Sequence, residues 1–279
     1  MIKETVQKKK SNTSTENSRN LKLSIQFSLD GFSFCISDLD KNEDVFFTEY
    51  TFDSSLKTPN ELLDKVITIF KSDKNLHADF KKVEVIHQNN LNTLVPNEYF
   101  IEENLKTYLD YNIKTLSTDF IAFDNIDVVD AKNVYVPYVN INNYLFQHFG
   151  EFEYKHHLSV FVEKIMAKKV AKKEITMFVN VSKHALDILI TEENNLLFSN
   201  IFTYRTKEDF LYYILFVAEQ LKLNPEEFPI YFSGEINKAS EIYNICYTYI
   251  RNLFFIESSN ILFDNLELPK HANFMLLYK

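Results

Sequence analysis

Few side chains in this 279-residue chain have the type and spacing for chemistry. His156 and His157 are adjacent imidazoles, and neutral imidazole is a good zinc ligand. Read on one helix, neighbours point about 100° apart, so the pair predicts no shared metal. Asp124, Asp127 and Asp130 recur at every third residue in a strand-then-turn segment. Paired carboxylates hydrolyse glycosides across a cleft. No partner carboxylate on another element suggests that here, so the three read as turn formers. Cys35 and Cys246 are the only cysteines, each in an apolar run, which predicts buried reduced thiols. No G-x-S-x-G, H-E-x-x-H or Walker motif occurs. Glycines are limited to Gly31, Gly150 and Gly234, too few for a glycine-rich phosphate loop. The reading is therefore no catalytic residue, no metal and no cofactor. Tyr99, Tyr108, Tyr111, Tyr135 and Tyr138 offer an aromatic surface for protein contacts.

The bulk numbers agree. A net charge of −9 and an isoelectric point near 5.3 argue against nucleic acid, which selects a basic face. Hydrophobic residues make up 46% of the chain, enough for a sizeable core. No apolar run approaches the ~20 residues of a membrane span. Residues 1–20 are charged and polar, without the apolar centre of a signal peptide. They read as a disordered tail on a cytoplasmic protein.

The elements that must position any site come in a repeating order. Leu21–Phe27, Phe32–Ser37 and Val45–Phe52 read as strands, with Asp30-Gly31 as a two-residue hairpin turn. Thr58-Pro59-Asn60-Glu61 starts a helix, and Val83–His87 is a fourth strand. Beyond it, Leu91–Val95, a helix opened by Pro96-Asn97, the strands Ile126–Val129 and Val134–Val136, and a helix over Ile141–Phe149 follow. The spacing of Leu158, Phe161, Val162, Ile165 and Met166 predicts one buried helix face, with a basic run from Lys168 to Lys173 behind it. The pattern then returns. Ile175–Val181, Leu186–Thr191 and Leu196–Tyr204 read as strands. Thr206 and Asp209 open a helix, Ile230–Phe232 is a strand, and Ile236–Leu253 is a helix. Ile261–Phe263 and Phe274–Tyr278 read as closing strands. The shared order predicts a duplicated α/β fold: a first half over 21–150, a connecting helix over 151–173 and a second half over 174–279.

Strand, strand, strand, helix, strand, turn, helix over Ile175–Ile236 resembles a half-domain of the actin-like ATPase superfamily, whose halves have the ribonuclease H-like fold. The chain looks closest to pilus-assembly and secretion-platform members and to a bacterial family of degenerate relatives. In that superfamily an Asp-x-Gly turn after the first strand of each half holds phosphate and metal. The aligned residues here are Gln26 with Ser28, and Asn180 with Ser182. Asn keeps the shape of Asp without its charge, and Ser at a positive-φ position is costly. Ile230–Glu235 resembles the adenosine-binding turn, with Gly234 where two glycines are usual and Glu235 in place of the second. The resemblance thus implies a non-catalytic, cytoplasmic actin-like scaffold or regulator acting through protein contacts. The alternative is a nucleotide-binding member in which Ser233 and Gly234 hold adenosine while Asn180, Ser182 and Lys183 meet phosphate. His184, at the same turn, reads as exposed.

Overall fold

The computed structural model describes residues 2–4, 20–167 and 175–278. By compactness the chain divides into two units. The first takes the chain up to Asn125, Lys132–Val160 and Asn260–Leu268. The second takes Ile126–Ala131, Phe161–Ser259 and Pro269–Lys279. The division cuts the expected connecting helix and assigns a piece of the C-terminal region to the first unit. That piece has a local cause: Asn260 donates to the buried Asp44 carboxylate, which also accepts from Ser37 at 2.6 Å.

In the first unit β1 (Ile2–Glu4), β2 (Leu21–Phe27), β3 (Gly31–Asp38), β4 (Glu43–Phe52) and β5 (Lys82–His87) join β9 (Glu153–His156) in one sheet. Its order is β1-β4-β3-β2-β5-β9. β2–β3 and β3–β4 are antiparallel, while β2–β5 and β5–β9 are parallel. The expected tail over 1–20 does not hold for Ile2–Glu4, which pair antiparallel with Tyr50–Phe52; residues 5–19 lie outside the described set. Helix α1 (Pro59–Ser72) starts where Thr58 accepts from the Glu61 N–H, and buries Leu62, Val66, Ile69 and Phe70. Three more strands are interposed between β5 and α3 (Val139–Phe149): β6 (Asn92–Pro96), β7 (Ala122–Ile126) and β8 (Ala131–Tyr135), in the order β6-β8-β7. The helix expected after Pro96 is two 3-10 turns and a short α2 (Leu105–Asp110). Asp127–Val129, read as strand, is a 3-10 turn ending on Asp130 at φ 51°.

In the second unit β10 (Thr176–Val181), β11 (Ala185–Glu192), β12 (Asn195–Thr203), β13 (Pro229–Gly234) and β14 (Asn252–Phe255) form a sheet in the order β12-β11-β10-β13-β14. Numbered within each repeat, both sheets read 3-2-1-4-5 with the same pattern of antiparallel and parallel neighbours. The likeness extends to defects. The β3–β4 ladder shifts register after the sixth residue of β3, between Ile36 and Ser37; the β11–β12 ladder shifts after the sixth residue of β11, between Ile190 and Thr191. Each shift follows an Ile–Phe pair, Ile36 with Phe46 and Ile190 with Phe198. Helix α5 (Lys207–Gln220) has the same length as α1 and a full capping box between Thr206 and Asp209.

Three expectations fail near the C-terminus. Ile236–Leu253 is not one helix: α6 (Glu241–Tyr249) ends at Tyr249, and Asn252 begins β14. The two closing strands are the short helices α7 (Leu262–Leu266) and α8 (Phe274–Leu277). Short apolar runs carry no periodicity that separates strand from helix. In helix α4 (His157–Ala167), Leu158, Phe161, Val162 and Ile165 are buried, whereas Met166 is only half-buried. The lysines expected beyond Ala167 lie outside the described residues.

Candidate functional site

The two turns read against phosphate chemistry occupy equivalent places, and their hydrogen bonds show it. Ser28 N–H donates to the Gly31 carbonyl at 2.9 Å, and Ser182 N–H to the Ala185 carbonyl at 2.9 Å. Phe52 N–H donates to Asp30 O at 3.0 Å, and Tyr204 N–H to His184 O at 3.0 Å. Gln88 N–H reaches Phe27 O at 3.0 Å, and Glu235 N–H reaches Val181 O at 2.7 Å. Gln26 therefore corresponds to Asn180, Ser28 to Ser182, and His87 to Gly234. The first turn is centred on Leu29-Asp30, one residue before the Asp30-Gly31 pair expected. Gly31 opens β3, where a Cβ would lie 2.8 Å from Tyr50 O. Neither Ser28 nor Ser182 has positive φ, so the backbone has relaxed away from the strained form that serine would resist.

The second turn is filled by its own side chains. Asn180, buried at the end of β10, donates from Nδ2 to Asp187 Oδ2 at 2.9 Å and accepts at Oδ1 from Ser233 Oγ at 3.0 Å. A carboxylate only accepts, which fixes the amide orientation. Gly234, at φ 84°, packs so closely on β10 that a Cβ would lie 2.1 Å from the Val181 carbonyl oxygen. Its N–H donates to His271 O at 2.8 Å. The Ser182 carbonyl accepts from Tyr204 OH at 2.8 Å, and its Oγ donates to Ala185 O at 3.2 Å. Lys183 and His184 are exposed at the lip. Asn180, Ser233 and Gly234 are thus brought together, with Ser182 tied into the hairpin beside them. Asp187, Tyr204 and His271 were missed; the only signal was one acid, Asp187, inside the apolar run Leu186–Ile190.

In the first unit Gln26 Nε2 donates to Gln88 Oε1 at 2.7 Å. Where the second unit has Gly234, His87 fills the space. Its Nδ1 accepts from Tyr138 N–H at 3.1 Å and its Nε2 donates to Asn142 Oδ1 at 2.9 Å. Burial pushes this imidazole down to about 3, against the raising effect of Asn142. It is a neutral structural ring.

The remaining candidates are structural too. His156 ends β9 and His157 begins α4, so they do not share a helix as expected; both are buried. No group of three potential metal ligands occurs among the described residues. Cys35 and Cys246 are buried, and burial pushes the Cys246 thiol up to about 12. Tyr99 and Tyr111 are exposed, but Tyr135 and Tyr138 are buried and cannot join an aromatic surface. Asp124 is not a turn former. It lies in β7 and accepts from Tyr135 OH at 3.0 Å, His156 N–H at 2.8 Å and Ser159 Oγ at 2.5 Å. Burial raises its carboxyl to about 6 in spite of these donors. The folded chain then holds this proton more tightly than an unfolded one, where Asp titrates near ~4. The resulting stability is complete below about pH 4 and is lost as pH rises through about 6. Urea denaturation should therefore show the parent losing up to about 3 kcal/mol across that window relative to Asp124→Asn. A parent-to-variant difference constant with pH would contradict it.

Similarity to known proteins accords with this geometry. A family model described as a protein of unknown function, DUF3822, matches residues 10–253. A search of curated proteins returns no match. Among solved structures, a Bacteroides thetaiotaomicron protein with actin-like ATPase fold and unknown function aligns with TM-score 0.77 at 23% identity. It covers 88% of this chain and 93% of its own. The PilM–PilN type IV pilus biogenesis complex aligns with TM-score 0.54 at 11% identity, covering 88% of this chain and 89% of the other. The fold is that of the actin-like ATPases. No helix among the described residues is long and apolar enough to cross a membrane.

Proposed function

Because the chain belongs to DUF3822, a family of proteins of unknown function, we propose that it is a non-catalytic actin-like scaffold or regulator of the cytoplasm, working through protein contacts. The observation that carries this reading is the Asn180 amide. Phosphoryl transfer on this fold needs a free carboxylate to hold metal or water and an open turn for the phosphates. Here the amide is used on both sides, by Asp187 and by Ser233. Gly234, the one glycine kept from the adenosine-type turn, is required by contact with the Val181 carbonyl. PilM, of like fold, was solved with a protein partner, PilN; this reading extends that mode of action to the present chain.

Two measurements test it. Steady-state assays should find no magnesium-dependent ATP turnover, and calorimetry with ATP, ADP and GTP should find no binding. Losing one such electrostatic contact alone slows a reaction about 100- to 1000-fold, and both turns are altered. Nor should reversion restore the site. Asn180→Asp would press a second buried carboxylate against Asp187 and destabilise by about 2–4 kcal/mol at pH 7. Turnover in the parent that disappears in Asn180→Ala would overturn the proposal.

A further inference from the structure

The stretch between β6 and β7, residues 97–120, displays apolar side chains that its own small core leaves out. Tyr99 is 65% exposed, Ile101 53%, Tyr111 81% and Leu116 62%. The display is built, not frayed. Phe100 turns inward, 4.9 Å from the Phe123 ring and stacked on Tyr108 at 6.1 Å. Phe100 and Ile101 are both extended, and successive side chains of an extended chain point to opposite sides. With Phe100 held in, its two neighbours are turned out. The Tyr108 hydroxyl fixes them there: it donates to Tyr99 O at 2.6 Å and accepts from Ile101 N–H at 2.8 Å. Tyr108 lies on α2, and Tyr111 follows the last residue of that helix, Asp110. The Asp110 carboxylate accepts from Thr115 at 2.6 Å, beside Leu116. Both exposed pairs are therefore pinned to one short helix.

The charge around them has one sign. Residues 97–120 carry five carboxylates and two lysines, and Lys106 is engaged by Asp110 at 2.9 Å. Glu98, Glu102 and Glu103 flank Tyr99 and Ile101; all three are exposed, and none makes an ion pair among the described residues. Acids here repel phosphate, which disfavours nucleic acid and anionic lipid alike. The same face of a second copy would set glutamate against glutamate. Resting on the protein-contact reading above, we propose that this face docks a short basic, amphipathic segment of a partner protein. The segment's apolar side chains cover Tyr99 and Ile101, and its lysines or arginines meet Glu98, Glu102 and Glu103. Rigidly held tyrosine is a common anchor of protein interfaces, and a surface ordered beforehand loses little entropy on binding.

The test is fluorescence anisotropy of the full chain with a labelled probe peptide of about 16 residues, leucine and lysine at amphipathic helical spacing. Its twin carries glutamate for lysine. Circular dichroism checks the fold of each variant. The parent should bind the lysine peptide with a dissociation constant on the order of 10–100 μM, more weakly as salt rises, and should leave the glutamate twin unbound. Tyr99→Ser with Ile101→Ser, which changes no charge, should weaken binding at least about fivefold. Glu102→Lys with Glu103→Lys should weaken it at least about tenfold, whereas the same charge change at Glu192→Lys with Glu193→Lys, on a hairpin of the second unit, should weaken it less than about threefold. A parent that ignores the lysine peptide, binding indifferent to Tyr99→Ser with Ile101→Ser, or equal losses from the two charge reversals would each overturn the proposal. Nucleotide binding and turnover are read on the parent alone, without peptide, so the two readings fail separately.

Discussion

Gly234→Ala is expected to lower stability by about 2–5 kcal/mol. Two penalties combine. At φ 84° an L-residue costs roughly 1–2 kcal/mol, and an atom forced into a packed contact costs about 1–3 more. Here the contact is a backbone carbonyl 2.1 Å away, which no rotamer change can relieve. The strand end must move, straining the Glu235-to-Val181 and Gly234-to-His271 hydrogen bonds. Gly150→Ala is the control. Its φ is 71°, but nothing lies within 4 Å of the added carbon, so about 1–2 kcal/mol is expected. Denaturant midpoints of the two variants decide the matter. Equal losses would mean that φ alone, and not the close approach of β13 to β10, explains the glycine.

Phe161→Ala is expected to cost about 3–5 kcal/mol, and to lower the melting temperature by roughly 10 °C. The ring is fully buried and meets Phe274 edge-on, with centroids 5.5 Å apart. On the same helix Lys164 donates to the Tyr278 carbonyl at 2.8 Å, just past the end of α8. Removing the ring therefore loosens the seat of α8 as well as leaving a cavity. Met166→Ala, at a half-buried position one residue past Ile165, should cost only about 1 kcal/mol. A Phe161→Ala variant that melts like the parent would refute the assignment of this helix face.

The sequence disclosed the fold where two signals agreed. The hairpin strands of each half alternate or run apolar, and each following helix begins at a Thr whose side chain caps it, Thr58 and Thr206. Strands β9 and β14 were missed because Glu153–His156 and Asn252–Phe255 are four residues each and abut helices without Gly or Pro to mark a break. The candidate site was half legible. Alignment to the Asp-x-Gly turns put Gln26, Ser28, Asn180 and Ser182 at equivalent positions, which the hydrogen bonds of both hairpins match. It could not show Asp187, whose partner lies across the ladder in three dimensions. It also misread Asp124, because a buried acid satisfied by Tyr135, His156 and Ser159 differs from a turn aspartate only in tertiary structure.

The interposed β6-β8-β7 sheet has a kinetic consequence. In the second unit the last parallel pair, β13 with β14, is joined through α6 alone. In the first unit the equivalent pair, β5 with β9, must wait for the whole stretch from His87 to Glu153. Closing the longer loop costs about 1 kcal/mol more in chain entropy if the stretch is still unfolded, and non-local pairing slows folding. The small sheet, with its own core of Val95, Leu109 and Val134, can remove that penalty by forming first and shortening the effective loop. The N-terminal half would then fold from an intermediate in which the insert is native and β9 still free, while the C-terminal half closes without one. Pulse-labelling hydrogen exchange would see protection of β13 and β14 before that of β9.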